Sequence, residues 1–283
     1  MKQVMQMITA VCLVAIQLQV QAQSCCTKRG DFELLALNAD FKQAHLSPEP
    51  FEYTPPPQGK MITFNTTDAD KQGHAYYLPS DKPTNNVLIL FHEWWGLNDY
   101  IKQEAERWQA KLGNIDVYAV DLYDGKVATN PEEASKLANG LEKKRGETII
   151  NGLLSKIGPN RAIATIGWCM GGSWSFTGTL LADQKAAACV MYYGFPEKDV
   201  KKIKQLRTDV LYIYGTQDKF ITDFDVVTFG KEVMNTGHKF ERHDFDAVHA
   251  FANPSNPKHD KMMTAEAEDY TVKFLQKKLN LEN

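Results

Sequence analysis

The sequence predicts an α/β fold, a doubly wound and mostly parallel sheet with helices on both faces. Five short apolar runs, rich in β-branched residues, alternate with helix-length amphipathic stretches. This alternation is typical of a parallel sheet that helices cover on both sides. The chain has 283 residues, 43% hydrophobic and 24% charged, which is enough for one large core of ordinary globular composition. We find no internal repeat and no second catalytic domain in the sequence.

The predicted elements follow one another in a regular order. The buried parallel strands are expected at 87–91, 117–120, 162–166, 188–193 and 210–214. The helices are expected at 100–112, 131–145, 173–182, 224–235 and 263–279. Segments 61–65 and 74–78 have the pattern of an antiparallel lead-in, and a last strand is expected around 239–245. These elements place the folded domain at 61–283.

The first 22 residues have the pattern of a signal peptide. Lys2 gives a positive start, 8–18 is mostly apolar, and small residues lead to a cleavage point after Ala22. A transmembrane helix is the alternative, but the apolar run is short and glutamines interrupt its end. We therefore expect export, to a bacterial periplasm, without stable insertion in the membrane.

Residues 23–60 are predicted to be a proline-rich extension. Its five prolines lie between 48 and 57 and favour a semi-rigid, extended connector. Cys25 and Cys26 begin this segment, and a lipid anchor on Cys25 is an open alternative to a free mature N-terminus. Cys12 leaves with the signal peptide, whereas Cys189 lies in an apolar run and is expected to be a packed core thiol.

Charge and cysteine spacing leave several partner classes without support. The net charge is −3 and the isoelectric point is near 6.2, so the sequence gives no reason to expect nucleic acid or an anionic membrane as a partner. No pair of cysteines or of cysteine and histidine has the spacing of metal ligands along the chain. The sequence therefore predicts neither a metal nor an organic cofactor.

The most informative motif is Gly-Trp-Cys-Met-Gly-Gly at 167–172, which joins an apolar strand to a helix. It has the form of a nucleophile elbow, with Cys169 as the central residue and glycines on both sides. Such a turn exposes the central side chain at a helix N-terminus, where the helix dipole favours a thiolate. The alternative is an inert buried cysteine with glycines that serve helix packing.

Two downstream residues favour the catalytic interpretation. Asp218 and His249 each follow a predicted strand, so both should lie on loops at the same edge of the sheet. Asp223 and Asp225 are alternatives to Asp218, although both open a predicted helix and have a capping explanation. The other histidines are expected to be surface or structural residues: His45, His74, His238, His243 and His259. His92 is expected either to line the pocket or to satisfy a local hydrogen bond.

In five ordered motifs the chain resembles the dienelactone hydrolase family of α/β-hydrolases. The motifs begin at His92, Asp121, Gly167, Tyr214 and His249, and they cover about residues 60–280. The resemblance implies a triad of Cys169, His249 and Asp218, with a carboxylate at Glu93 that touches the thiol. It also implies an oxyanion hole formed by the backbone N–H groups of Trp94 and Met170. Because Glu93 opposes a thiolate, we expect a thiol that alkylates slowly until substrate binds.

The same motifs carry the expected substrate pocket, lined by His92, Trp95, Tyr123, Trp168 and Phe251. The sequence departs from the family pattern where family enzymes that act on dienelactone hold its carboxylate with arginines. Asn253 lies four residues after His249, and the loop after Tyr123 carries Lys126 instead of an arginine. Lys126 is a possible point charge for substrate, but it lacks bidentate geometry. Dienelactone itself is therefore not the expected substrate.

These residues together predict a secreted cysteine hydrolase of small-molecule esters, lactones or related acyl bonds. His249 would assist attack by Cys169, and water would release the acyl-enzyme. Two rival functions stay open at this point. One is a non-catalytic binding protein that keeps the fold, and the other is a thiol-redox protein that pairs Cys169 with Cys25 or Cys26.

Overall fold

The computed structural model describes residues 31–51, 53, 57–68 and 70–281. The predicted signal peptide, Cys25 and Cys26 lie outside the described residues. The strands are β1 Lys60–Phe64, β2 Gly73–Leu78, β3 Asn86–Phe91, β4 Asp116–Asp121, β5 Ala162–Trp168, β6 Ala186–Tyr192, β7 Val210–Gly215 and β8 Phe240–Phe245. The helices are α1 Asp31–Ala36, α2 Ala39–Ala44, α3 Asp99–Leu112, α4 Pro131–Gly140, α5 Lys143–Ile157, α6 Met170–Ala182, α7 Val200–Ile203, α8 Asp223–Met234 and α9 Lys261–Leu279.

One eight-stranded sheet has the order β1-β2-β4-β3-β5-β6-β7-β8. The strand β2 runs antiparallel to β1 and β4, and every other pairing is parallel. The predicted fold class is therefore confirmed, including the antiparallel lead-in. In register, Phe91 lies beside Gly167 and Trp168 lies beside Tyr192. The carboxyl ends of β3, β5 and β6 consequently meet at one edge of the sheet.

Helices pack on both faces of this sheet. On one face, α6 contacts α8 through the rings of Phe176 and Phe229, whose centroids lie 5.1 Å apart. On the other, α3 and α9 are joined where Arg107 donates to Glu268 at 2.8 Å. Cys189 lies in β6 with no exposed surface, so the predicted core thiol is confirmed.

The predicted single helix at 131–145 is wrong. The chain forms two helices there, α4 and α5, and the second continues to Ile157. The break lies at Leu141, which has an extended backbone with φ −76° and ψ 100°. Gly140 precedes it, and glycine is a poor helix former. Since the side chain of Leu141 is buried, the turn serves packing that an amphipathic pattern does not report.

Residues 31–45, which the sequence analysis grouped with the proline-rich extension, form the two short helices α1 and α2. We call this segment the N-terminal strap. Asn38 caps α2 by accepting from the N–H groups of Asp40 and Phe41. The strap is held to the domain by the Ser135 hydroxyl, which donates to the Ala36 carbonyl at 2.6 Å. Within the described residues, no helix is both long and apolar enough to span a membrane.

Candidate active site

Cys169 occupies a sharp turn between β5 and α6. Its backbone has φ 54° and ψ −119°, a conformation that costs a non-glycine residue about 1–3 kcal/mol. The turn brings backbones so close that side chains cannot fit beside it. A Cβ atom on Gly171 would lie 2.2 Å from the Phe91 carbonyl oxygen, and one on Gly167 would lie 2.0 Å from the Gly171 oxygen. The glycines of the motif are therefore required by contact.

Three side chains from separate loops form one hydrogen-bonded chain. The His249 Nε2 atom lies 3.2 Å from Cys169 Sγ, and its Nδ1 atom lies 2.6 Å from Asp218 Oδ2. A carboxylate only accepts, so Nδ1 carries the proton and Nε2 presents its lone pair to the thiol. The structure thus brings together the three residues that the sequence analysis selected, and Asp223 and Asp225 lie instead in the first turn of α8.

Backbone hydrogen bonds hold the two loops that carry Asp218 and His249. Thr216 donates to the Phe245 carbonyl at 2.8 Å, and Gln217 donates to the Ala247 carbonyl at 3.0 Å. The other carboxylate oxygen of Asp218 accepts from the N–H groups of Phe220 and Ile221. Burial pushes the pKa of Asp218 upward, but His249 and these N–H groups together hold it below its usual value. Asp218 is therefore ionised and fixed in place.

Glu93 lies buried after β3, near the thiol but bonded elsewhere. Its carboxylate accepts a hydrogen bond from the Asn253 amide and one from the Tyr193 hydroxyl, the latter at 3.4 Å. The family resemblance implied that Glu93 touches the thiol. In the structure Glu93 is hydrogen-bonded to Asn253 and Tyr193 instead, and it acts on Cys169 electrostatically. Burial raises the pKa of Glu93 to about 8. The group is thus mostly a neutral acid at pH 7.

The thiol of Cys169 is kept protonated at rest. Burial is the largest cause that raises its pKa, and the nearby carboxylate of Glu93 is the next. A hydrogen bond from the Met170 N–H group acts in the opposite direction and is outweighed. This is the balance that the sequence analysis expected, with burial as an added cause. The Met170 N–H group thus points toward the sulfur. The oxyanion-hole roles expected for the N–H groups of Met170 and Trp94 stay predictions.

Five aromatic rings surround His249, and the sequence analysis selected none of them for the pocket. Their centroids lie 5.1–6.1 Å from that of His249 and belong to Phe41, His45, Tyr193, Phe195 and Phe220. Two of these rings come from the N-terminal strap. Cys169 has no exposed surface and His249 is 7% exposed, so the strap and its neighbours close the site.

His45 differs from the expectation of a histidine in a polar segment. It is 3% exposed, and its Nδ1 atom lies 2.7 Å from the Phe41 carbonyl oxygen. Its Nε2 atom is buried without a hydrogen-bond partner. Burial, and then the proximity of His249, lower the pKa of His45 to about 3, so the ring is neutral. The short helix α2 carries no sequence pattern that would have revealed this position.

Comparison with known proteins gives the family. The model of the dienelactone hydrolase family matches residues 74–279, most of the chain. The chain belongs to the dienelactone hydrolase family. It is 25% identical over 236 residues to carboxymethylenebutenolidase 1 of Cupriavidus pinatubonensis, covering 76% of this chain and 97% of that one. It is also 25% identical over 234 residues to Protein usf of Aquifex pyrophilus, covering 78% and 99%.

Solved structures share the α/β-hydrolase fold. A dienelactone hydrolase-like promiscuous phosphotriesterase from metagenomic libraries superposes with a TM-score of 0.66 at 17% identity, covering 78% of this chain and 99% of that one. At this identity the likeness shows the fold alone. The family match and the curated relatives make the chain a carboxymethylenebutenolidase-like hydrolase.

The pocket residues selected from the sequence of this hydrolase are all buried. The exposed fraction does not exceed 5% for any of them: His92, Trp95, Tyr123, Trp168 and Phe251. Both nitrogens of His92 are used, since Nδ1 lies 2.5 Å from the Glu93 carbonyl and Nε2 accepts from Leu122 N–H at 3.1 Å. Of the two roles expected for His92, the structure shows the local hydrogen bond.

Of the remaining four, two lie near the triad. The Tyr123 hydroxyl contacts Met170 Sδ at 3.2 Å, and the Phe251 ring lies 5.7 Å from that of Tyr193. Trp95 packs against Trp94 with centroids 5.0 Å apart, and Trp168 packs against Tyr192. Tyr192 in turn hydrogen-bonds to Thr271 in α9, so Trp168 belongs to the interface between the sheet and that helix.

The two positions that depart from the family arginines have different surroundings. Asn253 is buried; its amide N–H group donates to Glu93, and its amide oxygen accepts from the N–H and hydroxyl groups of Ser255. Its amide is therefore committed to holding Glu93. Lys126 lines an open cavity of about 800 Å³, together with Tyr123 and Arg145 among others. Tyr123 thus lies between this cavity and Met170.

Proposed function

We propose that this protein hydrolyses neutral esters or lactones through an acyl-enzyme on Cys169. The observation that carries the proposal is the hydrogen-bonded chain from Asp218 through His249 to the thiol. His249 accepts the thiol proton as the sulfur attacks the carbonyl carbon, and the imidazolium then protonates the leaving alkoxide. Water, deprotonated by His249, attacks the thioester and releases the acid. Asp218 stabilises the imidazolium in both halves of the reaction.

Glu93 has a second role in this proposal. When Glu93 is ionised, as it increasingly is when the pH rises toward its pKa of about 8, and substrate displaces its present partners, it accepts the thiol proton in place of His249 and passes that proton to the leaving alkoxide. The site would then rest as a protected thiol and form a thiolate only when it is occupied. Carboxymethylenebutenolidase relatives act on a lactone, as their names state, and this supports a small cyclic or linear ester as substrate.

The substrate is expected to be neutral at the position where dienelactone carries a carboxylate. Asn253 takes the place of an arginine and is engaged by Glu93 and Ser255. Ionic recognition of a carboxylate typically contributes about 1.5–3 kcal/mol, or more than tenfold in specificity. A kcat/KM clearly higher for dienelactone than for its neutral ester analogue would contradict this expectation.

The decisive experiment compares two cysteine variants on a panel of p-nitrophenyl esters and lactones. Cys169→Ala should abolish turnover and remove the site of iodoacetamide labelling. Cys189→Ala is the matched control, because Cys189 is the other free, fully buried cysteine among the described residues. It should keep its turnover at a temperature where both variants are folded. Turnover that survives in Cys169→Ala would refute the cysteine mechanism.

We also propose that the mature protein is exported after removal of residues 1–22. The sequence pattern supports this, and the intact mass of protein taken from the native cell envelope tests it. A mature chain that begins at Gln23 is expected. A mass that retains Lys2 would contradict export by this route, and a diacylglycerol mass on Cys25 would show the lipoprotein alternative.

A further inference from the structure

His45 completes a cluster of three metal-ligating side chains at the candidate active site. The ligand atoms of His45, Cys169 and His249 all lie within 4.8 Å of one another, and all three residues are buried. The ligands come from positions far apart in the chain, so their spacing in the sequence could not reveal them. The sequence predicts no metal site for this reason, and only the fold brings the three side chains together.

Both imidazoles are in the form that binds a metal ion. A carbonyl oxygen cannot donate, so the His45 Nδ1 atom, 2.7 Å from the Phe41 oxygen, must carry the proton. Its Nε2 atom therefore has a free lone pair, and this atom is buried and unpartnered. His249 is held the same way by Asp218. Metal-binding histidines characteristically donate their second N–H to a carbonyl or carboxylate, as these two do.

The distances suit a small tetrahedral ion after modest adjustment. With bond lengths of about 2.0–2.1 Å to nitrogen and about 2.3 Å to sulfur, neighbouring ligand atoms lie about 3.3–3.6 Å apart. The His249 Nε2 to Cys169 Sγ distance is 3.2 Å, and no pair of ligand atoms exceeds 4.8 Å. His45 belongs to the N-terminal strap, so a small adjustment of this short segment would bring its ligand atom to tetrahedral distance from the other two.

We propose that His45, Cys169 and His249 form a Zn²⁺ site that reversibly switches off the hydrolase. Two nitrogens and one thiolate favour Zn²⁺ over Mg²⁺ or Ca²⁺, which prefer oxygen ligands. Zn²⁺ replaces the proton on Cys169, so each bound ion releases one proton, and water completes the fourth position. The bound ion occupies both the nucleophilic sulfur and the lone pair of His249. A zinc-bound molecule therefore cannot start acyl transfer.

The test measures zinc binding directly on the full-length protein. Metal-free protein is titrated with ZnCl₂ against a chromogenic chelator, and separately with CoCl₂ to detect the sulfur-to-cobalt charge-transfer band. One ion per chain is expected, with a thiolate band that Cys169→Ala removes. MgCl₂ should not compete.

The matched variants separate His45 from the rest of the site. His45→Asn keeps a donor for the Phe41 carbonyl but lacks the Nε2 ligand. Losing an outer partner of a metal ligand typically costs about 10–100-fold in affinity, so loss of a ligand should cost at least that much. His238→Asn is the control, because His238 lies beside Asp209 and not in the cluster. It should bind zinc as the wild type does.

Two results would overturn the inference: wild-type protein without a stoichiometric zinc site, or His45→Asn with unchanged zinc affinity. The site shares Cys169 and His249 with the proposed triad, but the outcomes are separable. Ester turnover that depends on Cys169 without zinc binding would refute only the metal site. Zinc binding without turnover on any ester or lactone would refute the proposed function, and with it the inhibitory role, but not the metal site itself.

Discussion

At the level of single residues, the thiol and its neighbouring carboxylate share one electrostatic environment. Cys169 and Glu93 are both buried, and each is more stable in its neutral form. An ionised pair would cost desolvation energy twice and add mutual repulsion. The resting site is therefore uncharged apart from Asp218. Such a site tolerates a reactive cysteine because a thiol is much less nucleophilic than a thiolate.

Glu93→Gln should lower ester turnover and change its pH dependence. The pKa of Glu93 is about 8, so the basic carboxylate becomes available as the pH rises through that value. Wild-type kcat/KM is expected to increase through this range, and the variant should lack the increase. At pH 9 its turnover should be lower by about 10²–10⁴, as is typical of a lost general base.

Glu104→Gln is the control for this pH profile, since Glu104 is another buried carboxyl group whose pKa is raised, to about 7. It lies beside Arg107, in the interface between α3 and α9. Its variant should retain the wild-type profile. If Glu93→Gln hydrolyses esters as fast as the wild type at pH 9, Glu93 is a structural residue only.

At the level of elements, the elbow and the N-terminal strap control the site in different ways. The elbow fixes Cys169 through backbone contacts that leave no room for a Cβ atom. The strap covers the site through ring contacts, with the Phe41 centroid 5.1 Å from that of Trp94 and 5.0 Å from that of Phe220. Short helices are marginal by themselves, so these contacts provide most of the strap's stability.

Gly171→Ala should destabilise the protein and abolish turnover. The added methyl group would lie 2.2 Å from the Phe91 carbonyl oxygen, so the elbow must shift. Overpacking of this kind typically costs about 1–3 kcal/mol in the free energy of unfolding. Gly140→Ala is the control, because Gly140 ends α4 and a Cβ atom added there would meet open space. That change should stabilise by about 0.5–1 kcal/mol in urea denaturation.

Ser135→Ala should loosen the strap and expose the thiol. The hydroxyl of Ser135 holds the Ala36 carbonyl, and losing such a bond costs about 1 kcal/mol. If access to Cys169 requires the strap to open, iodoacetamide should label it about fivefold faster. Ser155→Ala removes a hydroxyl on α5 that bonds only within its own helix, to the Asn151 carbonyl. An equal labelling rate in Ser135→Ala and Ser155→Ala would mean that reagents reach the thiol by another route.

The predictions from sequence succeeded where a local pattern carries the structure. The central parallel strands are continuous apolar runs, and the motifs of Cys169 and Asp218 each follow one of them. His249 follows β8, whose four central residues are polar or charged, so its strand was marked only by its place in the order of elements. The two helices of the strap could not be predicted, because six residues are too few to show a helical periodicity. The prolines that follow them favour an extended connector for the whole segment. His45 and Phe41 approach the triad only through tertiary packing. For the same reason, the partnership between Asn253 and Glu93 could not be inferred from their separation of 160 residues.

For the whole molecule, buried carboxyl groups make stability depend on pH. Glu93 and Glu104 keep their protons in the folded state to about pH 8 and about pH 7, whereas both are ionised above about pH 4.5 when unfolded. The folded state therefore binds more protons across this range. Stability consequently falls as the pH rises toward the folded pKa values. His45 acts in the opposite direction below pH 6.5, because its folded pKa is about 3.

Between pH 7 and pH 8 the loss of stability should come mainly from Glu93. For each proton that the folded state binds in excess of the unfolded state, the free energy of unfolding falls by up to about 1.4 kcal/mol per pH unit. Urea denaturation of the wild type at pH 7, 7.5 and 8 should show this decline, and Glu93→Gln should flatten it. A wild type whose stability is constant over this interval would show that Glu93 does not hold its proton in the folded state.

The position of the strap also determines the order in which the site can be assembled during synthesis. Residues 31–45 leave the ribosome early, but His249 and Phe220, which they pack against, are made near the end of translation. The N-terminal strap therefore cannot pack over the site until the C-terminal strands have joined the sheet. In a chain that already contains Cys169 but not yet His249, the thiol lacks this cover and can meet oxidants and other thiols. The nascent protein is consequently most vulnerable at the residue that the finished protein shields completely.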